Sequence, residues 1–279
     1  MANNDKQWSS AAPGLLIILV DQSGSMMNEY IDGDSRTVFS AKVINRVINT
    51  IIKKNFNKDK PKNRCFITVL GYGIEVKELC SGYLEELYAN PKRIEEAVRK
   101  VSDGDGGLVE TKVKRPIWVE PIDENVWTNM KDAFIMAKDL AQAWIADQKD
   151  RPAPVIINIS DGEPYYDHKE ISECIAETKA VAKEIMQLSN DDGHVLIFNA
   201  EIGTGGHKFI TPADESEVVG DAAKFLFEIS SVIPEGYKAA ALKNGLSVRP
   251  GSRGCVFNAD AEELIKLIDF GSSKGQGDK

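Results

Sequence analysis

The sequence predicts an α/β domain, a doubly wound and mostly parallel sheet with helices on both faces. Three observations carry this. Short, continuously apolar runs recur along the chain, stretches with helical spacing separate them, and two of the runs end in an acidic turn. Strands buried on both faces read as unbroken apolar segments. Crossover helices between parallel strands then cover both sides of the sheet.

The first element is LLIILV (15–20), a buried strand, followed by a helix over 37–53 with Ile44, Val47, Ile48, Ile51 and Ile52 on one face. CFITVLGYG (65–73) reads as a second strand and VKELC (76–80) as a short third strand at an edge. The spacing over 91–101 predicts a helix, with Pro91 suited to its first turn. Residues 102–127 lose periodicity; they hold the turn-forming SDGDGG (102–107) and then VKRPIWVEP (113–121). A strong amphipathic helix follows over 129–146, aligning Met130, Ala133, Phe134, Ala137, Ala141, Trp144 and Ile145. VIINIS (155–160) is the next buried strand. Ile171, Cys174, Ile175, Thr178, Val181 and Ile185 mark a helix, and VLIFNAEIG (195–203) a further strand. The last third offers a helix over 221–230, a short strand at 255–258 and a final helix over 261–268. With no repeat and no linker, the chain reads as one domain over 13–270. It has an N-terminal tail (1–12), an insertion around 102–127 and a flexible tail (271–279).

The net charge is −9 and no basic stripe interrupts it. A nucleic-acid partner would need a positive surface, so none is expected. The N-terminus carries no signal-peptide pattern, and the apolar runs fall far short of the ~20 residues that cross a bilayer. The expected setting is therefore the cytoplasm, away from membranes. Cys65, Cys80, Cys174 and Cys255 are scattered among apolar neighbours with no C-x-x-C pair, which points to buried structural thiols rather than zinc or redox chemistry.

Two acidic turns stand out. The first strand ends in Asp21-Gln22-Ser23-Gly24-Ser25, and the strand at 155–160 ends in Asp161-Gly162-Glu163. Ligands of open α/β sheets bind at the carboxyl ends of the strands, where the strand order reverses. Asp21 and Asp161 would share one crevice if their strands flank that reversal. The hydroxyls of Ser23 and Ser25 could converge there if the loop curls, which Gly24 permits. All these donors are oxygens, so a hard cation is expected: Mg²⁺ or Mn²⁺, with Ca²⁺ ranked behind them. Neutral hydroxyls leave much of the ion's charge uncompensated, and an outside carboxylate could supply the rest. Lys112, Lys114 and Arg115 read as a solvated hairpin face, and His168, His194 and His207 have no metal-ligand spacing. GTGGHK (203–208) lacks the spacing of a phosphate-binding loop, and Asp21 rules out a G-x-S-x-G nucleophile elbow.

The pattern D-x-S-x-S after the first strand, Thr128 before a later helix, and Asp161 in S-D-G after the fourth strand resembles the metal-ion-dependent adhesion site of von Willebrand factor A domains. The resemblance implies that Asp21, Ser23, Ser25, Thr128 and Asp161 hold the ion. It also implies a six-stranded sheet ordered 3-2-1-4-5-6, with strand 3 antiparallel at the edge. Across PIWVEP (116–121), VIINISDGE (155–163), FEISSVIP (227–234) and RGCVFNADAEELIKLIDFGSS (253–273), the chain is similar to bacterial von Willebrand A proteins associated with tellurite resistance. That similarity implies a stress-response or defence setting, with a PP2C-type phosphatase or a serine/threonine kinase as partner. One departure is Val126-Trp127 before Thr128, where the family often has glycine; Trp127 would narrow the loop or present an aromatic surface. The expected function is a non-enzymatic, metal-dependent protein-binding module. The alternative is a Mg²⁺-dependent phosphotransferase or phosphatase with Asp21 as nucleophile. Against it, Ser23 stands where a D-x-D enzyme places its general acid.

Overall fold

A computed structural model describes residues 3–102, 108–122, 127–147, 149–203 and 208–275. The strands of the central sheet and of the long hairpin are β1 (Gly14–Asp21), β2 (Cys65–Tyr72), β3 (Val76–Tyr83), β4 (Arg93–Ser102), β5 (Leu108–Ile117), β6 (Val155–Ser160), β7 (Leu196–Glu201), β8 (Phe209–Ile210) and β9 (Cys255–Phe257). The helices are α1 (Arg36–Lys54), α2 (Leu84–Ala89), α3 (Met130–Asp147), α4 (Ile171–Gln187), α5 (Asp221–Glu228), α6 (Lys238–Lys243) and α7 (Ala261–Gly271).

The central sheet runs β8-β9-β7-β6-β1-β2-β3. β1 pairs in parallel with both β6 and β2, and β6 continues in parallel to β7 and β7 to β9. β3 lies antiparallel at one edge. The expected order of six strands is thus present, and the two-residue β8, antiparallel to β9, adds a seventh. Such a short strand leaves no alternation to read, so its pairing was not visible in the sequence. The strand order reverses at β1, between β2 and β6, which puts the reversal where the two acidic turns emerge.

The sheet divides the core in two. Leu16, Ile18 and Val20 of β1 face one side, with Val43, Ile44, Val47, Ile48, Ile51 and Ile52 of α1 and Leu264, Leu267 and Ile268 of α7. Leu15, Ile17 and Leu19 face the other, with Met130, Ala133, Phe134 and Ala137 of α3, Val181 and Ile185 of α4, and Phe225 of α5. Each Val, Leu, Ile, Phe or Met among them contributes about 1.5–3 kcal/mol on full burial. This rigid double layer fixes the strand ends that carry the site. α1 starts where Ser35 accepts a hydrogen bond from the Val38 amide at 3.4 Å.

The structure corrects the sequence reading in several places. Residues 91–101 do not form a helix: β4 pairs residue for residue with β5, from Arg93↔Ile117 to Ser102↔Leu108. Ile94, Ala97, Val98 and Val101 have helical spacing, but cross-strand pairing with an equally β-compatible partner outweighs that pattern. The 113–121 part of the insertion is the hairpin's return strand and exit. There Trp118 is buried and donates through Nε1 to the Leu87 carbonyl at 2.7 Å. Residues 103–107 and 123–126 of the insertion, and 204–207 of the glycine loop, lie outside the described residues.

The chain before Gly14 is not a loose tail. The Trp8 amide donates to the Lys274 carbonyl at 2.8 Å and the Asn4 amide to the Asp192 carbonyl at 2.8 Å. The Trp8 ring is 2% exposed and lies on Gly14, where a Cβ would stand 2.1 Å from it. Residues 271–275 are likewise structured, with Gly271 ending α7 and Ser273–Gly275 forming a single 3-10 turn; 276–279 lie outside the described residues. Among the described residues, no helix is long and apolar enough to cross a membrane.

Candidate metal-binding site

β1 and β6 are adjacent and in register, Val20 opposite Ile159, so their final residues emerge side by side at one sheet edge. Asp21 is fully buried. Its Oδ1 accepts the Ser23 amide at 2.9 Å, and its Oδ2 accepts the Ser160 hydroxyl at 2.8 Å. The loop then curls through the 3-10 turn Gly24–Met27, anchored by the fully buried Met26. The curl expected of Gly24 needs no left-handed backbone there. It sets the Ser23 and Ser25 hydroxyls 3.1 Å apart, and the Ser25 hydroxyl donates to Asp161 Oδ1 at 2.9 Å. Asp21, Ser23, Ser25 and Asp161 therefore form one cluster of oxygens linked by hydrogen bonds.

Thr128 reaches the same place by another route. Its amide donates to the Tyr165 carbonyl at 2.8 Å and its carbonyl accepts the Tyr165 amide at 3.1 Å, which ties the start of α3 to the loop after β6. Asn129 caps α3, its Oδ1 accepting the Asp132 amide at 3.3 Å. Thr128 lines an open depression of about 510 Å³ together with Ser23, Gly24, Ser25, Ile74, Trp127 and Tyr165. Trp127 stands edge-on to His168, with ring centroids 4.9 Å apart. All five residues expected at the site thus sit around one edge of the sheet.

The electrostatics are those of two neighbouring carboxylates, of which Asp161 is paired with a guanidinium and Asp21 is not. Burial, and then the neighbouring Asp161, pushes the Asp21 carboxyl from 3.8 up to about 7. A cation at the cluster would relieve both causes, and an all-oxygen donor set with two hydroxyls suits a hard one. Among the described residues, no three His, Cys, Asp or Glu side chains converge, so a zinc-type cage is not what this cluster offers. Burial pushes Cys65, Cys80 and Cys255 up to about 12, which agrees with inert thiols. Gln22, beside the ligands in sequence, packs against Gly71 instead of facing outward. Burial, with the nearby Asp221, raises the Glu163 carboxyl.

Two residues of the site were missed from the sequence. Ser160, the last residue of β6, donates its hydroxyl to Asp21 Oδ2. Arg36, the first residue of α1, reaches the Asp161 carboxylate through Nη1 and the Gly203 carbonyl through Nη2; Nη1 also lies 3.3 Å from the Ser25 carbonyl. Its sequence neighbourhood announces a helix start and nothing more.

No protein-family model matches the chain, and no curated protein does. Among solved structures it is similar to a conserved hypothetical protein, BatB, from Bacteroides thetaiotaomicron (15% identity, TM-score 0.39, covering 68% of this chain and 67% of that one). It is also similar to the PilB minor pilin of Streptococcus sanguinis (12% identity, TM-score 0.46, 95% of this chain and 61% of that one). A third is proximal thread matrix protein 1 of the mussel byssus, with a zinc-occupied MIDAS motif (11% identity, TM-score 0.39, 80% of this chain and 42% of that one).

Proposed function

We propose that the chain is a von Willebrand factor A-type module. It would bind a divalent cation through Asp21, Ser23, Ser25, Thr128 and Asp161, and use it to hold an acidic group of a protein partner. The observation that carries this is the hydrogen-bonded run from Asp21 through Ser23 and Ser25 to Asp161, at the point where the strand order reverses, with Thr128 on the same depression. Mg²⁺ or Mn²⁺ suits these oxygens, and when bound it would supply an electrophilic centre short of negative ligands. The residues of the chain do the rest. Asp21 holds the Ser23 amide and Asp161 the Ser25 hydroxyl, while Ile74, Trp127 and Tyr165 border the open side, where a partner would approach. The sequence resemblance adds a bacterial stress-response or defence setting, with a kinase or phosphatase as partner.

The phosphotransferase reading fits the geometry less well. Asp21 has no exposed surface, and both its oxygens are already engaged by Ser23 and Ser160, so neither is presented for attack on a phosphoryl group. Calorimetric titration of Mg²⁺ and Mn²⁺ into chelator-stripped protein tests the proposal, with Asp21→Ala as control. Saturable one-site binding lost in the variant is expected. No binding to the wild type, or equal binding to the variant, would refute it. Magnesium-dependent turnover of a phosphomonoester that disappears in Asp21→Asn would favour the enzyme instead.

A further inference from the structure

A guanidinium already sits on the second carboxylate of this site. Arg36 Nη1 donates to Asp161 Oδ2, while Ser25 holds Asp161 Oδ1, so both carboxylate oxygens are engaged. The pair is largely withdrawn from solvent, with side-chain exposures of 14% for Arg36 and 5% for Asp161. The seat is built for this side chain. Gly203 supplies a carbonyl to Nη2, has φ +80°, and leaves room that a Cβ would fill, 2.1 Å from Arg36 Nε. Glycine is thus needed there both for its backbone and for its emptiness.

The seat is also incomplete. Arg36 Nε is buried with no hydrogen-bond partner among the described residues. Moreover, Arg36 occupies the first turn of α1, where the helix dipole disfavours positive charge. Neither feature helps the helix. Both make sense if the purpose of the contact is Asp161.

We propose that Arg36 is an internal counter-cation of the site. Its guanidinium competes with a divalent cation for Asp161, so the chain binds such a cation more weakly than its oxygen set alone would allow. This rests on the metal-binding reading above. The physical basis is charge: a guanidinium and a dication cannot both take full advantage of one carboxylate so largely withdrawn from solvent. Arg36 therefore sets the concentration at which the site loads.

The test is calorimetric titration of Mg²⁺ and Mn²⁺ into wild type, Arg36→Met and Arg36→Lys, paired with thermal unfolding in chelator and in excess Mg²⁺. Arg36→Met keeps the unbranched apolar stem of the side chain and removes the guanidinium and its charge. It should bind Mg²⁺ at least tenfold more tightly, equivalent to about 1.4 kcal/mol. Its Tm in chelator should fall by several degrees, because Asp161 loses its cation, and Mg²⁺ should raise that Tm by more than it raises the wild type's. Arg36→Lys keeps the charge without the fork and should bind Mg²⁺ more tightly by a smaller factor. A residue that merely orients Asp161 would give the opposite result, with weaker binding in both variants. Equal or weaker binding in the folded variants overturns the proposal while leaving the metal site standing. If the wild type binds neither ion, the metal reading itself falls, and this inference with it. Should Arg36→Met not fold, Arg36→Lys alone decides between these outcomes.

Discussion

Replacing Asp21 by Asn should stabilise the metal-stripped protein at neutral and alkaline pH while abolishing metal binding. Asp21 is fully buried, and its carboxyl stands at about 7, against 3.8 for an ordinary aspartate, through burial first and the Asp161 charge second. Between those two values the folded chain holds a proton that the unfolded chain has released. Stability therefore falls as pH rises through this window. The full penalty, on the order of 4 kcal/mol as an upper bound, is present above pH ~7 and absent below pH ~4. Asn is nearly isosteric. Its oxygen can accept the Ser23 amide in place of Oδ1. Its amide can donate to Ser160, whose hydroxyl can turn to the Gly162 carbonyl 3.3 Å away. Urea unfolding in chelator, from pH 4.5 to 8.5, checks this. Asp21→Asn should match wild type at the acid end and exceed it increasingly toward pH 8. Excess Mg²⁺ should close the gap by raising the wild type alone. A variant less stable than wild type by more than about 1 kcal/mol at pH 8 in chelator, with no pH trend, would refute the reasoning.

Three further outcomes follow from the geometry. Thr128→Ala should lower Mg²⁺ affinity at least tenfold by calorimetry, yet change stability in chelator by under about 1 kcal/mol, because its backbone pairing with Tyr165 survives. Trp8→Ala should cost about 3–5 kcal/mol in urea unfolding, since the ring is buried over Gly14 and its loss opens a cavity between the two chain ends. A cost below about 1 kcal/mol would show that the strap before β1 is dispensable. Asn199→Ala should cost about 1–3 kcal/mol by the same assay. It would leave the Asn158 amide without its 3.0 Å acceptor and Ser230 without its 2.9 Å donor in a buried polar row.

Much of the fold was legible because burial on both faces leaves an unmistakable trace. β1, β2, β6 and β7 are runs of apolar residues with little interruption, and α1, α3 and α4 carry periodic stripes. The β4–β5 hairpin left no such trace. It packs little against the core: Ile94 and Val98 remain 57% exposed, so its sequence was never constrained to alternate. The brief helices α2 and α6 were missed because six residues are too few to show a period. At the site, Asp21, Ser23 and Ser25 could be read locally, and Asp161 followed once its strand was taken as the neighbour of β1. Arg36 could not be read. Its contact joins residues 125 apart and depends on the direction of a helix that propensity alone does not fix. The strap 3–13 was hidden for the reverse reason. Trp8, Asn4, Lys6 and a few backbone hydrogen bonds hold it, and its polar composition is that of a free tail.

The most direct test of the metal site is a crystal grown with excess Mn²⁺ and measured for anomalous scattering. A single peak in contact with the hydroxyls of Ser23, Ser25 and Thr128, at about 2.0–2.4 Å, with Asp21 and Asp161 beside it, is the expected result. In that crystal the Arg36 guanidinium should have withdrawn from Asp161 Oδ2. A peak elsewhere on the chain, or none here at saturating Mn²⁺, would contradict the assignment of this cluster as a metal-binding site.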